Sequence, residues 1–182
     1  MAYLDEIDWK ILAALQKRSN LRNNDLADDV GLTPAPCLRR VKNLSQIGII
    51  KGFSITLDNK QLGFGLSALV EVTLTDHSTR AARKFLNTIQ GKREIIACYM
   101  VTGDCDFILR IMTANIDTYR KLIWDDLHAI EEVLKIRSSV ILETFKDQLS
   151  PTVDRRLNSA AIGDRPVKLR SLPYEMSGTR RR

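Results

Sequence analysis

The chain is poor in the residues that staple or metallate small domains. It has three cysteines, Cys37, Cys98 and Cys105, and two histidines, His77 and His128, in 182 residues. An odd cysteine count with no CxxC pair argues against a disulfide framework or a zinc site and fits a reducing cytosol. No run approaches the roughly 18 consecutive apolar residues of a membrane span, and the N-terminus opens on acids rather than an apolar signal stretch. A soluble cytoplasmic protein, not associated with membrane, is expected. Catalytic signatures are also missing. There is no Gly-rich phosphate loop, nucleophile elbow or paired-histidine metal motif, so no enzyme activity, cofactor or metal is expected. His77 follows a strand end, and His128, late in a helix, suits the C-terminal end of the dipole.

Charge is unevenly placed. Residues 1–60 carry a net +2, residues 61–150 a net −1 and residues 151–182 a net +5, within a total of +6. A basic total is weak evidence for nucleic acid, so local placement decides. It singles out residues 31–44, Gly-Leu-Thr-Pro-Ala-Pro-Cys-Leu-Arg-Arg-Val-Lys-Asn-Leu. Thr33 is placed to N-cap a helix, and Pro34 falls at the first helical position, where its missing donor costs nothing. Pro36 also lies in the first turn, whose N–H groups have no helical partner. At helical spacing Cys37, Leu38, Val41 and Leu44 gather on an apolar side. Ala35, Pro36, Arg39 and Asn43 gather opposite, flanked by Arg40 and Lys42, without an acid. Arg and Asn suit guanine and adenine edges, and Lys and Arg suit phosphates. Arg40 and Lys42 either contact phosphate or hold the helix in place.

Asp5–Arg18 carries Ile7, Ile11, Leu12 and Leu15 at helical spacing. Asn24–Val30 reads as a second short helix, ended by Gly31 in a left-handed turn. Helix, short helix, glycine turn and basic helix is the helix-turn-helix order. Gly48 stops the third helix, and Ile49–Leu57 reads as an extended exit. The DNA-contact set is therefore Thr33, Ala35, Pro36, Arg39, Arg40, Lys42 and Asn43, and the partner is double-stranded DNA.

From Leu66 the period shortens. The pattern predicts strands at Leu66–Leu74, Glu94–Val101, Phe107–Met112 and Val133–Phe145, with Ile136, Ser138, Val140 and Leu142 alternating on the last. Helices are predicted at Ser78–Gln90, with Ala81, Ala82, Phe85 and Ile89 inward, and at Asn115–Ile130, with Ile116, Tyr119, Leu122, Ile123 and Leu127 on one stripe. The order βαββαβ is the split-βαβ, ferredoxin-like sandwich, so the fold class is α+β. Its second sheet face, expected to carry Leu69, Val101, Ile111 and Ile141, has no helix to cover it and invites a second copy. The loop Thr102–Asp106 is the candidate effector site. Asp104 and Asp106 offer acceptors for an ammonium, Gly103 allows close approach to its N–H, and Thr102 flanks it. A Gly-Asp turn is also an ordinary hairpin connection.

Gly31, Leu32, Thr33, Pro34, Pro36, Cys37, Arg40, Val41 and Leu44 match a signature Gly-Leu-Ser-Pro-x-Pro-Cys-x-x-Arg-Val-x-x-Leu, with Thr33 replacing serine. The opening Leu4-Asp5, the exit Gly48-Ile49-Ile50-Lys51-Gly52-Phe53 and the loop Gly103-Asp104-x-Asp106 add to it. On these residues the chain resembles the leucine-responsive (Lrp/AsnC) family of transcriptional regulators, over about Tyr3–Gln148. The resemblance implies a winged-helix-like DNA-binding domain, an amino-acid effector bound where dimers meet, and homodimers assembled into tetramers or octamers. Cys105 departs from the aromatic often found there. The divisions expected are 1–50 for DNA binding, 51–63 as hinge strand or linker, 64–148 for effector binding and oligomerisation, and 149–182 as a basic, largely disordered tail able to add phosphate contacts. Two other readings share these features: an architectural nucleoid protein with little sequence preference, and an enzyme like the sirohaem decarboxylases on the same fold.

Overall fold

The computed structural model describes residues 4–148 and 150–153. They fall into two compact units, one reaching Thr56 and including the stretch from Gln148, the other Leu57–Asp147.

The first unit holds three helices, α1 (Glu6–Lys17), α2 (Asn23–Val30) and α3 (Pro34–Gln46). Asp5 and Asp8 form a reciprocal capping box that starts α1, satisfying two amide donors that the helix cannot. Gly31 closes α2 at φ 73°, ψ 37°, the left-handed region open to glycine without a Cβ penalty. Thr33 occupies the N-cap of α3 with extended backbone, but its side chain makes no capping bond. The entry to α3 rests instead on Pro34 at the first position and on Asn23 Nδ2, which donates to the Pro34 carbonyl at 2.8 Å. Ile11, Leu26, Ala27, Val30, Cys37 and Leu44 form the core. Leu38, expected on that apolar side, is 44% exposed. Gly48, at φ 78°, follows the end of α3 as expected. Residues 51–58 carry no regular secondary structure, so the exit segment pairs with no strand among the described residues. At the far end, Gln16 Nε2 donates to the Pro151 carbonyl, and its Oε1 accepts from Val153 N, both at 2.7 Å. The disordered tail expected beyond this point lies outside the described residues.

The second unit runs β1 (Leu66–Leu74), α4 (Thr79–Ile89), β2 (Ile95–Met100), β3 (Phe107–Thr113), α5 (Ile116–Lys121), a π-helical turn (Leu122–Leu127) and β4 (Val133–Val140). The sheet order is β2-β3-β1-β4 with every pairing antiparallel. Both helical segments pack on one face, burying Phe85, Ile89, Tyr119, Leu122, Ile123 and Leu127 against Ala68, Val70, Val72, Phe107, Leu109 and Ile111. Phe85 and Phe107 meet with ring centroids 4.9 Å apart.

Several expected details change. Ile111 belongs to the core and not to the open face. Arg110 is the one charged residue of β3 and points away from the helices, which fixes the opposite parity for Ile111. Ile116, expected inward, is 52% exposed. The second long helix does not continue regularly to Ile130. It widens after Lys121, and His128 N donates to Ile123 O five residues back at 2.9 Å. The last strand stops at Val140, paired with Ala68, and past it a single hydrogen bond from Ile141 N to Ser67 O continues toward the start of β1. Leu142 and Phe145 are thereby left 95% and 90% exposed. Past them, Asp147 returns to the sheet and binds Arg110 through both carboxylate oxygens, at 3.0 and 2.6 Å.

Candidate nucleic-acid interface and effector loop

Helix α3 is held by its buried side and by its first turn, which leaves the opposite side to solvent. Thr33, Ala35, Arg39, Lys42 and Asn43 are exposed, whereas Pro36 is half-buried. Ala35, Leu38, Arg39, Lys42, Asn43 and Gln46 line one open groove, with Arg40 and Asp8 at its edge. No acid of α3 itself enters it.

Arg40 stands apart from the other cations. Its Nη1 lies 2.9 Å from Asp8 Oδ1 and 2.7 Å from Asp5 Oδ2. The hydrogen bonds it donates to Asp8 and then to Asp5 hold the guanidinium even more firmly charged than usual. Its guanidinium is thus engaged within the protein, on the side of α1. It ties α3 to the cap of α1 and offsets one of the two negative charges of Asp5 and Asp8. Asp8 in this role went unseen in the sequence, where it reads only as part of a helix start. Arg18 and Asp29, at 3.1 Å, join α1 to α2 in the same way.

In the second unit, Thr102–Cys105 turn the chain between β2 and β3, and Gly103 takes φ 125°. Thr102, Gly103 and Asp104 are exposed at this end of the sheet. Asp106 behaves differently from the acceptor role expected of it. Its Oδ2 accepts from Leu74 N at 2.7 Å, and its Oδ1 lies 2.8 Å from His77 Nδ1. Its own N–H donates to Val72 O at 2.9 Å. The Leu74 amide, and beyond it the His77 hydrogen bond, hold its carboxyl below the usual carboxylate range against a smaller opposing effect of burial. With both oxygens engaged, Asp106 anchors the loop, and the free acceptor is Asp104. His77 is a second participant absent from the expected set, since nothing local in sequence links residues 29 apart. Burial pushes the Cys105 thiol up, reinforced by the carboxylates of Glu71, Asp106 and Asp104. It is therefore a poor nucleophile.

Among the described residues no group of three or more His, Cys, Asp and Glu side chains is placed to hold a metal. No helix there is long and apolar enough to cross a membrane.

Comparison with known proteins agrees with this division. Residues 4–51 match the winged helix-turn-helix DNA-binding family, and residues 67–151 match the Lrp/AsnC ligand binding domain. The transcriptional regulator AzlB of Bacillus subtilis is 34% identical over 151 residues, covering 83% of this chain and 96% of that protein. The leucine-responsive regulatory protein of Escherichia coli is 36% identical over 143 residues, covering 79% and 87%. Among solved structures, the regulator NMB0573 of Neisseria meningitidis, in complex with L-Met, superposes with a TM-score of 0.78 at 30% identity, over 82% of this chain and 96% of that one. Two units in this order, one with an exposed helix-turn-helix and one with a ligand-binding sandwich, make this chain a member of the Lrp/AsnC family of transcriptional regulators.

Proposed function

We propose that α3 enters the major groove with Thr33, Ala35, Pro36, Arg39 and Asn43 near base edges and Lys42 on phosphate, while Arg40 braces the helix from behind. The observation that carries this is the disposition of charge: Arg39 and Lys42 stand in the groove without a protein partner among the described contacts, and Arg40 is committed to Asp5 and Asp8. Free cations at a groove and a paired one at its root separate contact from support. The test is competition between a duplex recovered from a random library and bulk DNA at fixed salt. A large ratio is expected of a sequence-specific regulator, whereas a ratio near one makes the protein architectural.

For the second unit we infer an amino-acid effector at the exposed end of the β2–β3 turn, with Asp104 accepting the ammonium and the Thr102–Gly103 backbone facing the carboxylate. Support comes from the zwitterion's need for one anionic and one donor group and from the L-Met bound to the Neisseria relative. A thermal-shift screen of free amino acids is expected to give a hit that Asp104→Asn abolishes; no hit with any of them removes this part.

We infer further that a second copy covers the open sheet face. Leu69 there is 41% exposed, and Leu142 and Phe145 stand free beyond β4. A domain of about 90 residues gains much from such burial. A homodimer, assembling further into tetramers or octamers, is the expected species in light scattering. Two copies would also present paired recognition helices to a two-fold operator. The working place is the cytoplasm, on the nucleoid, and the role is regulatory and not enzymatic.

A further inference from the structure

Leu38 is the one large apolar side chain in the groove of α3. It is 44% exposed and shares the concavity with Ala35, Arg39, Lys42 and Asn43. Its neighbours one residue before and three residues after, Cys37 and Val41, are buried and half-buried in the core, and Leu44 is 1% exposed. The core is thus complete without Leu38. At 100° per residue it stands on the flank of the outer face, one turn below Lys42 and one above Ala35. A single exposed leucine is ordinary on a protein surface. It is less ordinary beside the cations Arg39 and Lys42 and the amide of Asn43 on a helix turned toward DNA, where the other apolar groove residue, Ala35, is small.

We propose that Leu38 is a base-reading residue that packs on the C5-methyl group of thymine. The major-groove edge of thymine presents that methyl as its one apolar feature, and aliphatic side chains recognise it by contact. Arg39 next to it suits the guanine edge, so the pair would read adjacent steps by different chemistry. Removing one buried methyl contact costs about fourfold in affinity. This inference rests on α3 being the DNA-reading helix.

The test uses the full chain and a duplex recovered by it from a random library. Each thymine is replaced in turn by deoxyuridine, which lacks only the methyl. The wild type is expected to lose about fourfold at one position in each half-site. Leu38→Ala and Leu38→Asn remove the contact from both half-sites, so they are expected to bind the parent duplex about as weakly as wild type binds a duplex with deoxyuridine at that position in both half-sites, and to lose nothing more on that substitution. Leu38→Asn keeps the branching and the number of heavy atoms while replacing the methyls with an amide, so a loss there is chiefly a loss of apolar contact. Circular dichroism and melting of both variants should match wild type, because the residue lies outside the core. If every deoxyuridine duplex binds wild type equally, or if the variants keep the same sensitivity, Leu38 does not read thymine while the regulator reading stands. If the library yields no preferred sequence, the regulator reading falls, and this inference with it.

Discussion

Arg40 Nη1 lies 2.9 Å from Asp8 Oδ1, joining the recognition helix to the first turn of α1 across 32 residues of sequence. Asp8 is only 7% exposed, so its charge is compensated chiefly from within the protein. Removing Arg40 leaves the buried Asp8 carboxylate unmatched, and removing the Asp8 charge leaves Arg40 with Asp5 alone. Arg40→Met and Asp8→Asn are each expected to destabilise the first unit by roughly 1–3 kcal/mol. They should weaken binding about equally on every DNA sequence, since the change is in helix placement. Thermal melts and anisotropy titrations on preferred and scrambled duplexes check both halves.

Arg39 predicts the opposite pattern. It is exposed and has no ion pair within the described residues. Arg39→Ala is expected to leave the melt unchanged, to cost about 1–3 kcal/mol of binding and to relax preference at one base position. A uniform loss on all sequences would show it contacts phosphate instead.

What the sequence disclosed, and what it withheld, follows from the range of the interactions. The helices were legible because their caps and periods are local: Asp5, Gly31 and Pro34 each mark a boundary within a turn of where it falls. The first strand of the sheet was legible because Ala68, Val70, Val72 and Leu74 alternate cleanly. The end of β4 was not, since Leu142 continues the alternation past Val140, the last residue paired with β1. The widened turn at Leu122–Leu127 keeps an apolar stripe and so looks like an ordinary helix. At the sites, the exposed face of α3 was readable by helical spacing, except for Leu38 at its margin. The parts played by Asp8, Arg40, His77 and Asp106 were not, because each depends on a partner brought near by tertiary folding.

Gly31 allows a test of the turn itself. Its φ of 73° is one that L side chains rarely adopt, yet a Cβ built there meets nothing within 4 Å. The penalty for a side chain is therefore backbone strain alone. Gly31→Ala is expected to cost about 1–2 kcal/mol, and Gly31→Asn less, as asparagine tolerates this region. Melting of the two variants in parallel distinguishes strain from a clash, which would penalise the larger asparagine more.

The loop anchored by Asp106 makes acid sensitivity predictable. The Leu74 amide is the principal cause that holds its carboxyl low, and His77 adds to it. A carboxyl whose folded pKa lies below its unfolded value adds stability that is fully present above the unfolded value. That stability disappears as pH falls through the folded one. The second unit should therefore lose stability below about pH 4, and Asp106→Asn should flatten that decline while lowering stability at neutral pH. It should flatten it only in part. Asp147, held low by the Arg110 hydrogen bonds, and Glu132, held low by Lys84, act in the same direction. Denaturant midpoints from pH 7 down to pH 3 for wild type and Asp106→Asn measure the difference. Parallel curves would mean that the carboxyl is not the charged acceptor of the Leu74 amide, and that the turn is held by its backbone bonds alone.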